Sequence, residues 1–269
     1  MKKLLDINKV SIITACYNAE EFIENTIKSV LLQKHINWEL ILIDDCSKDN
    51  TKNIIKSFSD KRIKLITLES NVGPAEARNI GIRNSKSPYI AILDADDICK
   101  NDRLAKQVEY LNKNQDIAMC GSHIRLIDKN DFPLKNVRLP CTYEQVCIKS
   151  LYTSPIANPS ILFRRSILKT TGLFRKHSSW LGLNCEDYDF ALRLLNNGYK
   201  IKNIDDYLID YRVHQNNLTS KAKRKGVIKK GTFNALKNTG IYFFNQRVNK
   251  LFNKILINEK DPNYIYLFK

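Results

Sequence analysis

The stretch Tyr89–Leu104, YIAILDADDICKNDRL, runs from five apolar residues straight into three carboxylates, Asp94, Asp96 and Asp97. A short apolar run with no helical spacing reads as a strand buried on both faces, and the Asp-Arg-Leu that follows reads as the start of a helix. The same plan stands upstream. VSIIT (Val10 to Thr14) is followed by Tyr17-Asn18, WELILID (Trp38 to Asp44) by Asp45, and RIKLITL (Arg62 to Leu68) supplies another strand. Between them, residues 19–33 space Phe22, Ile23, Ile27, Val30 and Leu31 as one helix face does. Asp49 or Asn50 can cap a helix carrying Ile54, Ile55 and Phe58, and Gly73-Pro74 places a proline at the first position of a helix predicted over 75–84.

Strands alternating with helices over the first hundred residues predict an α/β fold, a Rossmann-like sandwich with a mainly parallel central sheet flanked by helices. Such sheets bind ligands beyond the carboxyl ends of their strands. Tyr17-Asn18, Asp44-Asp45 and Asp94 to Asp97 each follow a strand, so all three converge on one edge. Taken singly, each is explained as well by a turn or a helix cap. Leu93-Asp94-Ala95-Asp96 adds an alternating pair that aims two carboxylates the same way if the backbone stays extended. Repelling carboxylates side by side need a cation between them. A hard divalent ion, manganese or magnesium, suits two carboxylates plus the oxygens of a diphosphate.

The rest of the chain bounds the answer. Its 269 residues, 43% hydrophobic with only 9 Gly and 7 Pro, fit one large globular domain with room for an appendage, not a repeat or a disordered chain. The start, MKKLLDINKV, is interrupted by Asp6 and Lys9 and makes a poor signal peptide. No segment reaches the ~18 apolar residues of a spanning helix. A cytoplasmic location is expected. Seven scattered cysteines without a C-x-x-C pair indicate neither a zinc knuckle nor a disulfide framework, and read as reduced, mostly buried small hydrophobes. There is no G-x-x-x-x-G-K-[ST] and no G-x-G-x-x-G, which speaks against a Walker ATPase and a dinucleotide dehydrogenase.

Five blocks in order, VSIITACYNAEEFIENTIKSVLLQ, WELILIDDCSKDNT, NVGPAEARNIGI, YIAILDADD and NCEDYDFALRLLNNGYKI, resemble the inverting glycosyltransferases of family 2, with the GT-A fold, of the kind that builds bacterial cell-surface glycans. The resemblance runs from about Val10 to Ser220. It implies a nucleotide-binding set in which Asp45 contacts the base, Ala15 and Tyr17 line the base pocket, Arg78 faces the nucleotide phosphates and Asp94, first of the D-x-D motif, lies near the ribose. It implies Asp96 as a metal ligand, with His214 of Tyr211-Arg212-Val213-His214 close to the metal and diphosphate. Asp187 matches the catalytic base, with Glu186 beside it on the acceptor side. Trp180 in HSSWLGLNCED offers a ring for stacking on an acceptor sugar or, equally, for half-buried packing. Ala15 stands where many relatives have proline or threonine, and Asn101 where proline often precedes the helix.

The chemistry suits those positions. A leaving nucleotide diphosphate gathers negative charge that a bound cation stabilises, and an acceptor hydroxyl needs a carboxylate to take its proton. One base and one displacement give inversion. Residues 1–100 are expected to form the nucleotide-sugar-binding half, 101–218 the acceptor-binding and catalytic half of the same domain, and 219–269 a basic helical extension. The net charge is +16, and the segment from Gln215 onward sets twelve Lys and Arg against only Glu259 and Asp261. Ile241, Phe244, Val248, Leu251, Phe252 and Ile255 follow near-helical spacing there, so the extension reads either as a basic amphipathic helix on an anionic membrane surface or as a helix packed on the body. No nucleic-acid motif accompanies the charge, and nucleic acid is not expected as a partner. The expected donor is a UDP-sugar, and the expected acceptor is a glycan or glycolipid, lipooligosaccharide or a lipid-linked oligosaccharide, handled at the inner face of the membrane. Two rivals remain: a sugar nucleotidyltransferase, which normally needs a Gly-rich basic loop that TACYNAEE lacks, and a non-catalytic adaptor, against which Asp94, Asp96 and Asp187 stand.

Overall fold

The computed structural model describes residues 7–150, 153–176 and 186–214. Trp180 and the basic segment from Gln215 onward lie outside the described residues, and so does Cys185. The amino-terminal part alternates as expected: β1 (Val10–Cys16), α1 (Ile23–Leu31), β2 (Trp38–Asp44), α2 (Thr51–Lys56), β3 (Ile63–Thr67), α3 (Pro74–Arg83) and β4 (Tyr89–Ile92). The strands lie parallel in the order β3-β2-β1-β4. Because β2 and β4 flank β1 on opposite sides, the chain reverses its direction of travel across the sheet at β1. That reversal opens a crevice at the carboxyl ends of β1 and β4.

Two apolar faces follow from the period of two. Val10, Ile12, Leu40, Leu42 and Ala91 point to the side where Ile23, Ile27 and Val30 of α1 pack, while Ile13, Ile41, Ile43, Ile90 and Ile92 point to the other. Strands buried on both faces explain the near-continuous Ile and Leu runs. On the second face α3 lies so close that a Cβ on Gly81 would come within 2.6 Å of Ile43 Cδ1 and 2.7 Å of Ile13 Cγ2, so any larger residue there would have to push those side chains aside. Gly73, at φ +86°, turns the chain into Pro74 at the first position of α3.

One helix is shorter than its sequence period. α1 begins at Ile23 rather than at residue 19, because the Ala19 N–H donates to Thr51 Oγ1 (2.8 Å) and the Glu20 N–H to Asp49 Oδ2 (3.0 Å), while Glu20 Oε2 accepts from the Asn50 N–H (2.8 Å). These bonds tie the loop after β1 to the loop after β2 instead of extending the helix.

Beyond β4 the sheet turns mixed. β5 (Ile98–Cys99), α4 (Arg103–Lys113), β6 (Ile117–Ile127), β7 (Pro133–Val137), α5 (Tyr143–Lys149), β8 (Leu162–Arg164), α6 (Leu168–Thr171), α7 (Glu186–Asn196) and β9 (Lys200–Arg212) follow in the chain. β8 pairs antiparallel with β4 and β6, β9 runs parallel to β6 and antiparallel to β5, and β7 folds back on β6. The 13-residue β9 brings its end, Tyr211-Arg212, to the corner where β4 ends. Cys16, Cys99, Cys120 and Cys147 are buried and Cys46 and Cys141 partly so, all six as free thiols. Among the described residues no helix is long and apolar enough to cross a membrane.

Candidate active site

Loops from the carboxyl ends of the parallel strands form one wall of the candidate site. Tyr17 follows β1 directly and is 52% exposed, while Ala15, half-buried, pairs with Ile43 across the β1–β2 ladder. Asn18 braces the neighbouring loop, its Oδ1 accepting from the Lys48 N–H (2.8 Å). Asp45 is buried, and its carboxylate accepts from the backbone N–H of Val72 (2.7 Å) and of Gly73 (2.9 Å). It therefore fixes the loop that leads into α3, which is how Arg78, one turn inside that helix, comes to face the end of β4.

Arg78 is the hinge of the arrangement. It is 7% exposed, and its guanidinium donates to Asp94 Oδ1 (2.9 Å) and to Glu186 Oε1. Burial alone would lower its pKa, but the two carboxylates raise it, so Arg78 stays charged. Asn158 closes Asp94 from the other side, its Nδ2 donating to Oδ1 (2.9 Å) and Oδ2 (3.0 Å), while Asn158 Oδ1 is buried without a partner. Burial pushes the Asp94 carboxyl up, against the pull of Arg78.

The extended Asp94-Ala95-Asp96 pair expected from the sequence does not form. β4 ends at Ile92, and Ala95-Asp96 lie in a turn closed by the Asp97 N–H donating to the Asp94 carbonyl (3.3 Å). The two carboxylates part company: Asp94 faces Arg78, whereas Asp96 Oδ2 lies 2.9 Å from His214 Nε2. Each carboxylate has its own partner, although the Asp96 charge still adds to the upward push on Asp94. The Asp96–His214 pair, both side chains partly exposed, still offers one carboxylate oxygen and one imidazole nitrogen to a common point, a donor set that manganese accepts with diphosphate oxygens completing its shell.

Arg212 builds that corner from below. It is 1% exposed; its N–H donates to Asp97 Oδ1 (2.8 Å), its Nε to the Asp96 carbonyl (2.8 Å) and its Nη1 to the carbonyls of Asp128 (3.0 Å) and Lys129 (3.1 Å). Its guanidinium lies 4.7 Å over the Phe22 ring, and Phe22 in turn lies 4.8 Å from the His214 ring. Asp97 is buried, and burial together with the charges of Asp96 and Asp94 pushes its carboxyl well up.

Asp187 sits in the first turn of α7, next to Glu186. Burial first, and the Glu186 charge second, push its carboxyl up to about 7. A carboxylate that takes a proton near neutral pH is suited to general-base work. Glu186 itself, expected on the acceptor side, is 6% exposed with its carboxylate on Arg78. It would meet an acceptor only if that pair opened.

The glycosyl transferase family 2 model matches residues 11–172, about three-fifths of the chain. The chain is a family 2 glycosyltransferase. Among its relatives is the Escherichia coli protein described as UDP-Glc:alpha-D-GlcNAc-diphosphoundecaprenol beta-1,3-glucosyltransferase WfgD, 34% identical over 218 residues that cover 80% of this chain and 81% of the relative. Among solved structures, Staphylococcus aureus TarS 1-349 in complex with UDP-GlcNAc superposes with a TM-score of 0.64 at 19% identity, over 79% of this chain and 61% of that one. The Pyrobaculum calidifontis mannosyltransferase PcManGT in complex with GDP-Man and Mn2+ superposes with a TM-score of 0.61 at 17% identity, over 96% and 82%. The glycosyltransferase therefore has the GT-A fold.

The sequence of this glycosyltransferase gives Asn158 no place in the site, and it shows Asp97 and Arg212 beside expected site residues without assigning either a role. Asn158-Pro159 reads as a turn, and nothing local announces that it reaches Asp94, 64 residues away. A second group of metal-type side chains, His123, Cys141 and Asp205, gathers on the glycosyltransferase's carboxyl-terminal part. His123 Nδ1 accepts the Leu139 N–H (3.1 Å), so Nε2 carries the proton, faces Asp205 Oδ1 at 2.9 Å and is not available to a metal.

Proposed function

We propose that this glycosyltransferase moves a sugar from a nucleotide-diphosphate donor, a UDP-sugar, to a hydroxyl of a growing surface glycan such as lipooligosaccharide or a lipid-linked oligosaccharide, with inversion and with a divalent cation. The observation that carries this reading is the Asp94–Arg78–Glu186 bridge, which joins the end of β4 to the first turn of α7, the turn that carries Asp187. The relatives support the donor and acceptor classes: one carries UDP-Glc and a diphosphoundecaprenol acceptor in its description, and one superposed structure holds UDP-GlcNAc.

In this reading residues 1–100 hold the donor, with Tyr17, Ala15 and Asp45 at the base, Asp94 near the ribose and Arg78 toward the phosphates. Asp96 and His214 would hold manganese or magnesium, whose chemistry there is to neutralise the charge that grows on the departing diphosphate. Residues 101–218 receive the acceptor, with Trp180 and Glu186 on its side. The acceptor oxygen bonds to the anomeric carbon as the bond to the diphosphate oxygen breaks, the leaving nucleotide takes that electron pair, and the acceptor's proton goes to Asp187 Oδ. The displacement proceeds from the face opposite the leaving group and inverts the centre. The basic segment 219–269 would hold the enzyme at the inner face of the membrane through anionic lipid.

Calorimetry of nucleotide sugars with and without manganese tests the reading. UDP-sugars should bind, more tightly with the ion, and Asp96→Ala should abolish that tightening. Undiminished transfer in excess chelator would remove the metal from the mechanism.

A further inference from the structure

The β6–β7 hairpin carries two large apolar side chains that the catalytic reading leaves unused. Phe132 is 65% exposed and Leu134 58%, at the tip of a two-stranded projection whose β7 strand lies almost wholly in solvent. The tip is stiff. Asp128 Oδ1 accepts from the N–H of Asn130 (2.8 Å) and of Phe132 (2.9 Å), and the Asp128 N–H donates to the Phe132 carbonyl (2.9 Å).

Its two acids and two lysines balance formally, but they are held differently. Asp128 is engaged in closing the turn, and Asp131 is paired with Arg212 Nη1 at 2.5 Å. Lys129 and Lys135 remain exposed beside the apolar pair. The projection is also tied to the candidate catalytic corner: Arg212 bonds the Asp128 and Lys129 carbonyls and the Asp96 carbonyl together, and the Val213 N–H donates to the Ile127 carbonyl (2.8 Å).

Two exposed apolar side chains flanked by lysines on a stiff support fit a surface that is apolar beneath and anionic above. A partner strand fits less well, because Pro133 offers no N–H and Lys135 sits on the edge, both of which discourage strand addition. We propose that the β6–β7 tip docks on an anionic lipid surface, with Phe132 and Leu134 entering the headgroup–acyl boundary and Lys129 and Lys135 meeting lipid phosphates. Docking there holds the Asp96–His214 corner next to the bilayer, where a lipid-linked acceptor would be presented. The purpose of the contact rests on the proposed acceptor class; the contact itself does not.

The test uses the full chain and vesicles of phosphatidylcholine with or without phosphatidylglycerol. Phe132→Trp should shift its emission to the blue and be quenched by brominated lipid in anionic vesicles, beyond what the wild type shows. Phe132→Ser with Leu134→Ser should weaken sedimentation with anionic vesicles about tenfold at roughly 0.5 M salt, where screening shortens the reach of the basic carboxyl-terminal segment to a few Å. UDP affinity should be unchanged in both variants. Absence of quenching together with unchanged sedimentation overturns the proposal. Loss of a dimer in the double variant, without any lipid effect, overturns it in favour of self-association. Quenching by lipid in a chain that transfers no sugar would leave the docking intact and remove only the catalytic reading.

Discussion

The two halves of the molecule reach the candidate site by different routes. Before Asp97, one rule places the carboxylates: a buried parallel strand ends, and the polar residue that follows lands at the shared edge. After Asp97 the strands run both ways, and what arrives there, Asn158, Glu186, Arg212 and His214, is delivered by contacts across the fold. The first half thus presents the carboxylates, and the second half supplies most of what faces Asp94 and Asp96, with Arg78 of the first half joining Asn158 on Asp94. Asp94 and Asp96 are two residues apart in the chain, yet one is held by Arg78 and Asn158 and the other by His214.

The largest effect expected from this division belongs to Asp187. Asp187→Asn keeps the size of the side chain and removes its proton-accepting power, so transfer should fall ~100- to 10,000-fold while donor affinity changes little. In the wild type, kcat/KM for donor should climb with pH through about 7 and level off above it. The stability consequence has the opposite sign to that of an ordinary ion-paired aspartate. With the folded pKa raised above 3.8, the protonated group's advantage is complete below about pH 4 and lost as pH rises through about 7. The amide escapes that loss. Its Tm should therefore exceed the wild type's most clearly at about pH 8, by at most about 4 kcal/mol in stability and by less for a carboxyl in partial contact with water. Near-normal transfer by this variant would move the base elsewhere, and would break the claim that the second half supplies it.

Next in size is Asp96→Ala. Loss of a direct metal ligand should weaken manganese-dependent UDP binding by at least ~100-fold, more than loss of a residue that only orients a ligand. Manganese titration with and without UDP reads this directly. Equal tightening in the variant would mean that the first-half carboxylate does not hold the ion.

Much of the first half was legible in the sequence because burial on both faces writes itself as Ile and Leu runs, and because a polar residue directly after such a run can lie only at the sheet edge. The strands at Val10, Trp38, Ile63 and Tyr89 and the helix after Gly73-Pro74 all follow from that pattern. The second half hides its strands. β9, KIKNIDDYLIDYR, carries acids that a strand pattern would exclude, and Asp210 is tolerated there only because Lys100 and Arg125 pair with it. The resemblance placed Arg78 and His214 near the acidic cluster, but Asn158 and Arg212 were illegible for a simpler reason: Arg212 reaches the Asp96 carbonyl across 116 residues, and no local period encodes such a contact.

Arg212→Lys probes that hidden layer. Lysine keeps the charge but lacks the fork that joins Asp96 to the hairpin carbonyls. Manganese-dependent UDP affinity should drop ~10- to 100-fold, as for other residues that orient ligands, and Tm should fall as well. If Tm falls while ion and nucleotide affinities hold, the second half supports the fold without shaping the metal corner.

The smallest effect comes from a second-half signal that is purely local. Thr142 caps α5: its Oγ1 accepts the Gln145 N–H (3.2 Å) and Gln145 Oε1 accepts the Thr142 N–H (3.4 Å), a capping box. The helix it starts buries Val146 and Cys147 and contributes no residue to the candidate site. Thr142→Ala should therefore cost about 1 kcal/mol in stability and leave transfer unchanged, and Thr142→Ser should restore most of the loss. Chemical denaturation beside a transfer assay at a temperature where both variants are folded separates the two quantities. A several-fold drop in transfer by the alanine variant would show that local elements of the second half also shape the site, and the contrast between a half that presents carboxylates and a half that pairs them at long range would have to be redrawn.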